Sequence, residues 1–166
     1  MTRYTNAGSP STAKTGAENE NSADTLEVLN DLLDNARDGE YGFRACAEEV
    51  DSTELRALFE ERASDCAAAT TELGELIRRY GGEAERGGTI AGAMHRGWVH
   101  VKVTLGADSA NSMLEECERG EDAAIARYRK ALKADLPPDV RAIVDRQAAG
   151  AQRNHDRIRV LRDSTR

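Results

Sequence analysis

LEECERGEDAAIARY, from Leu114 to Tyr128, is the stretch on which the reading of this chain turns. Leu114, Glu118, Glu121, Ile125, Tyr128 and then Leu132 recur at intervals of four, three, four, three and four. That spacing marks one face of a helix turned towards partner helices. Two of its positions are carboxylates. An ionised carboxylate in an apolar seam costs several kcal/mol unless it meets a cation, a hydrogen-bond donor or a metal, so the rest of the chain must supply partners.

The surrounding composition favours helices packed on helices. Of 166 residues, 39% are hydrophobic and only 4% aromatic, and Ala and Leu do most of the apolar filling, which suits an all-α domain better than a β-sandwich. The length fits one domain with a real core. A formal net charge of −7 argues against nucleic acid or an anionic membrane surface as partner, since both need a dense basic footprint. No apolar run approaches a membrane span and the N-terminus lacks a secretion core, so a cytoplasmic protein is expected. Acids prevail early (Asp31, Asp34, Asp38, Glu48, Glu49) and arginines late (Arg146, Arg153, Arg157, Arg159, Arg162), which predicts that the first and last helices are neighbours with attracting flanks. Cys46, Cys66 and Cys117 form neither a disulfide framework nor a zinc motif and read as small buried hydrophobes; Cys117, beside Glu118, is the one to watch.

Outward from the opening stretch, three more long helices are predicted. Met1 to Ser22 has no periodicity, so residues 1–23 are expected to be a disordered tail and 24–164 the folded domain. A first helix runs from Asp24 to about Val50 on a seam of Leu26, Leu29, Leu33, Ala36, Glu40, Phe43, Ala47 and Val50. A turn at Asp51-Ser52-Thr53 caps a second, Thr53 to Tyr80, on Leu55, Phe59, Arg62, Cys66, Ala69, Leu73, Leu76 and Tyr80, stopped by Gly81-Gly82. The opening stretch belongs to a third helix, Ala110 to Ala134. Pro137-Pro138 then starts the fourth, Asp139 to Asp163, on Val140, Val144, Gln147, Ala151, Asn154, Ile158 and Leu161, with His155 beside the seam. Between the second and third, Ile90 to Leu105 predicts a short crossover helix plugged by Trp98. His95 and His100, five apart, cannot share a metal.

The polar intruders test the topology. Glu40 and Arg62 lie at nearly one height in the first hairpin, which predicts an ion pair. Glu118 and His155 reach the same height only if the third helix runs parallel to the second. One shared layer satisfies more groups than two, so the arithmetic favours two antiparallel hairpins joined by a long crossover, the ferritin-like arrangement.

Four runs carry a resemblance: ECERGEDAA (Glu116 to Ala124), AGAMHRGW (Ala91 to Trp98), LPPDVR (Leu136 to Arg141) and HDRIRVLRD (His155 to Asp163). Together they resemble the PA2169-type four-helix-bundle family, a ferritin-like group of bacterial proteins classed as a domain of unknown function. The resemblance implies a fold and a superfamily and brings no reaction or substrate.

The superfamily's dinuclear iron pattern needs one Glu from each of two helices and Glu-x-x-His from each of the others. Glu40 and Glu118 or Glu121 can stand for the single acids. The second helix offers Glu61-x-x-Ser64, no His, and a cation, Arg62, towards the layer; the fourth offers Gln152-x-x-His155. Iron held by Glu40, Glu118, Glu121 and His155, or one ion on the last three, is therefore the alternative. The preferred expectation is a metal-free structural layer of Glu40, Arg62, Glu118, Glu121, Gln147 and His155, with no cofactor. Function then divides between a non-catalytic, self-associating or stress-associated bundle, a homo-oligomer such as a dimer, and a redox or metal-handling protein with a reduced ligand set. No nucleophile–base pair, phosphate loop or zinc motif supports hydrolase or transferase chemistry.

Overall fold

The computed structural model describes residues 13–84 and 109–165, and within them the chain forms four helices: α1 (Ala13–Glu49), α2 (Thr53–Arg79), α3 (Ser109–Leu132) and α4 (Pro138–Ser164). Residues 1–12 and the predicted crossover helix, with Trp98, His95 and His100, lie outside the described residues. Three helices begin and end close to where capping and periodicity predict. The exception is the start of α1 at Ala13 rather than Asp24. Asp24 is exposed, and the Thr25 hydroxyl donates 2.8 Å back to the Asn21 carbonyl, one turn upstream, so the helix is already under way there.

Local chemistry explains the α1–α2 hairpin. The Ser52 hydroxyl accepts from the Leu55 amide at 3.3 Å, closing the N-terminus of α2. At the other end Gly81 takes φ 80°, its N–H reaching the Arg78 carbonyl while that of Gly82 reaches Ile77, the left-handed turn that glycine adopts without a Cβ penalty. A Cβ on Gly39 of α1 would sit 2.7 Å from Cys66 Sγ of α2, so the two backbones approach closely here.

Pairs of contacts give the topology. Asp31 meets Arg127, and Cys46 meets Cys117, so α1 and α3 are antiparallel. Glu61 pairs with Arg157, Glu72 with Arg146 and Arg79 with Asp139, so α2 and α4 are antiparallel too. The diagonal helices α2 and α3 are then parallel. The chain leaves α2 at one end of the bundle and enters α3 at the other, a distance of roughly 40 Å for the 27 residues of α2. This is the crossover topology that the polar register predicts.

Among the described residues the arginines of the last helix pair with acids of its other neighbours rather than with those of the first. α1 packs on α2 and α3, and the arginines of α4 find acids on those other helices: Glu72 and Glu61 of α2, and Glu118 of α3. Charge blocks along the sequence do not report which helices lie on a diagonal.

The core divides in two. One cluster gathers Leu29, Leu33, Leu73, Leu76, Ile125, Val140 and Val144; the other gathers Phe43, Leu58, Phe59, Met113, Leu114 and Ile158. Between them lies the polar layer.

Candidate functional site

Arg62 follows Phe59 and precedes Cys66 on the buried stripe of α2, so the helix carries its stem into the core. The layer lies between diagonal helices, and a long side chain is needed to cross it. Arg62 does so to reach Glu121 of α3: Nε donates to Oε1 at 2.5 Å and Nη2 to Oε2 at 3.1 Å, a two-pronged ion pair. From α4, Asn154 Nδ2 donates to the same Oε1 at 2.7 Å. Glu121 is 1% exposed, Asn154 5% and Arg62 8%. Burial works against the Arg62 charge, but the hydrogen bonds and the negative charge of Glu121 outweigh it and hold the guanidinium above its ordinary pKa. The Phe43 ring of α1 closes the layer, its centroid 5.9 Å from the Arg62 guanidinium carbon.

The other residues that the sequence nominates separate into distinct contacts. Glu40 does not pair with Arg62; half-buried at the edge of α1, it accepts from Arg44 one turn on, at 2.7 Å. Glu118 accepts from Arg162, and its other oxygen lies 3.8 Å from His155 Nε2. His155 faces Asp122 at 3.1 Å and Asp156 at 3.2 Å, towards the surface between α3 and α4. Gln147 donates to Glu72 at 2.9 Å and accepts from Tyr128 at 3.3 Å. Burial tends to raise the Glu72 pKa, yet the bonds from Gln147 and Arg146 hold it below the usual value.

Sequence reasoning passes over three participants. Asn154 stands on the predicted α4 seam, and its burial follows from that position; the chemical versatility of His155 draws attention one residue too far. Arg162, two turns after His155, follows from the helical spacing of the last arginines. Asp38 carries no sequence signal. Its Oδ1 is buried without a hydrogen-bond partner among the described residues, and burial pushes the carboxyl up to about 6 against the pull of Arg127. Asp38 lines a cleft of about 210 Å³ between α1 and α3, along with Gly39, Cys117 and Gly120.

A dinuclear iron centre, which the ferritin-like superfamily implies, does not fit these side chains. Both oxygens of Glu121 are held by an arginine that cannot give up its charge, in the layer where two metal ions need anionic oxygens. Glu118 is held by Arg162, Glu40 is turned to Arg44, and α2 has no histidine. Among the described residues no three His, Cys, Asp or Glu side chains are arranged to hold a metal.

Comparison with solved structures supports the architecture. The chain is similar to a crystal structure of ferritin-like, diiron-carboxylate proteins from Bacillus anthracis str. Ames, with 20% identity and a TM-score of 0.67 over 85% of this chain and 96% of that one. At that identity the likeness establishes the fold: an all-α, ferritin-like four-helix bundle. No curated protein sequence matches the chain. No described helix is long and apolar enough to cross a membrane. The family model described as Domain of unknown function (DUF2383) matches residues 24–134, from the first buried turns of α1 to the end of α3, and this chain belongs to that family.

Proposed function

We propose that this protein is a metal-independent ferritin-like bundle that acts without catalysis, as a self-associating protein working through its helix surfaces. The observation that supports this most is the Arg62–Glu121 pair. The central layer, where a diiron relative would concentrate its carboxylates, is here spent on joining α2, α3 and α4. A buried ion pair of this kind is best attested as a device that specifies register, at some cost in stability compared with an apolar core. Among the described residues, the clefts beside it, about 240 and 210 Å³, offer neither a paired acid and base nor a nucleophile beside a base.

The test is metal stoichiometry on tag-free protein, by elemental analysis as purified and after anaerobic Fe(II) titration followed by oxygen. The expected result is no bound metal above background and no oxo-bridged absorption. One or two irons per chain, with that absorption and with loss of uptake in Glu121→Gln, would overturn the reading. Light scattering on the same sample tests self-association, with a mass above that of one chain expected.

A further inference from the structure

The geometry points to a redox modification site in the seam between the two hairpins: Cys46 of α1 and Cys117 of α3, oxidised by hydrogen peroxide to a disulfide that ties hairpin α1–α2 to hairpin α3–α4. The two sulfurs lie 3.5 Å apart with nothing between them, and both residues are almost wholly buried, at 2% and 1% exposure. Here helices from different hairpins bring two thiols into contact, so a bond between them would tie the hairpins covalently at a point far along the chain from the segment that connects them.

Access selects the oxidant. Cys117 lines the cleft of about 210 Å³ between α1 and α3, where Gly120 leaves open space in the wall. A peroxide has the bulk of two waters and can enter; a tripeptide disulfide cannot reach either sulfur without separating the helices. Cys117 attacks one peroxide oxygen, the O–O bond breaks, and the products are a sulfenic acid and water. Cys46 sulfur then displaces the hydroxyl from Cys117 sulfur, forming S–S and releasing a second water. Two thiols lose their hydrogens and one peroxide is reduced to two waters.

The setting makes the reaction slow. The hydrogen bond to Cys46 and then burial hold the Cys117 thiol well above its ordinary pKa, so little thiolate is present. The device therefore answers sustained peroxide. Cys66 lines the same cleft but lies against Gly39, with its thiol pushed up to about 12 by burial.

The experiment treats the full chain with hydrogen peroxide in the presence of a chelator and follows intact mass and peptide maps. The expected result is loss of two hydrogens, a Cys46–Cys117 cross-linked peptide, free Cys66, and a raised unfolding midpoint that dithiothreitol returns to its starting value. Glutathione disulfide should give far slower linkage. In Cys46→Ser, Cys117 should stop at the sulfenic acid and be captured by dimedone; Cys66→Ser should cross-link like the parent. Free Cys46 and Cys117 after treatment, a link through Cys66, glutathione acting as fast as peroxide, or dimedone capture at Cys66 rather than Cys117 would each overturn the proposal.

Discussion

Removing Arg62 should be among the most costly single changes in this protein. In Arg62→Ala, Glu121 keeps one donor, Asn154, and stays buried at 1% exposure in the middle of the bundle. Breaking a buried ion pair by deleting one partner costs about 3–5 kcal/mol. Loss of the guanidinium beside Phe43 adds about 0.5–1 kcal/mol. The clefts that border the layer on two sides let water approach the stranded carboxylate, which argues for the lower end of the first range. The expected loss is therefore about 3–4 kcal/mol, read as a shift in urea midpoint at unchanged m-value. Asn154→Ala, which removes one bond to a charged acceptor, should cost about 1.5–3 kcal/mol. The triple change Arg62→Met, Glu121→Leu, Asn154→Leu removes the charges together with their desolvation penalty and should fall within about 1 kcal/mol of the parent or above it. A loss below about 1 kcal/mol in Arg62→Ala would refute the buried pair. A triple variant as unstable as Arg62→Ala would refute the claim that pairing, rather than shape, decides the energetics.

Three further outcomes follow from individual positions. Asp38→Asn should stabilise the protein by about 1 kcal/mol at pH 7, allowing for solvent screening of a half-buried group. Because the folded carboxyl, at about 6, lies above its ordinary 3.8, the unfolded chain releases its proton first as pH rises; the parent loses stability between these values, and the advantage of the variant should vanish below about pH 4 in parallel urea titrations. Gly39→Ala should destabilise the parent by about 1 kcal/mol through the close approach to Cys66 Sγ, yet stabilise a Cys66→Ala background, where the helix propensity of alanine is free to act; additive effects in the double-mutant cycle would sink this account. Gly81→Ala should lower stability by about 1–2 kcal/mol, measured by thermal unfolding, because φ 80° is costly for any residue with a Cβ.

The fold was legible because each helix states its buried stripe at a period close to 3.6. Leu29, Leu33, Ala36, Phe43 and Ala47 in α1, and Leu55, Phe59, Cys66, Leu73 and Leu76 in α2, are buried as their spacing predicts. Topology was legible for a second reason: the height of a residue along a bundle is a matter of counting, and polar residues gain by sharing a height. That argument predicts parallel α2 and α3, and the antiparallel pairs of α1 with α3 and of α2 with α4 bear it out. The start of α1 was not legible, since the residues before Asp24 carry no apolar periodicity for the argument to use.

The partners within the layer were harder to read, because azimuth is far less forgiving than height. One residue along a helix is only 1.5 Å of rise but 100° of rotation. Glu40 stands near the height of Arg62, yet it lies at the rim of the stripe, where a surface arginine four residues on outcompetes a cation across the core. Asn154 and His155 differ by the same single step: the first points into the core and bonds Glu121, while the second turns towards Asp122 and the solvent. Arg62 meets Glu121 on the diagonal helix, while Glu40 on the adjacent one is taken by Arg44. A sequence can therefore announce that a buried cation needs a carboxylate, and at which height, before it can say which carboxylate. The consequence for function is specific: of the acids that spacing nominates as metal ligands, the one most deeply placed, Glu121, is the one already committed to Arg62. A bundle that keeps the ferritin-like height register while giving its central acid to an arginine holds that acid's oxygens in an ion pair rather than leaving them free for a metal.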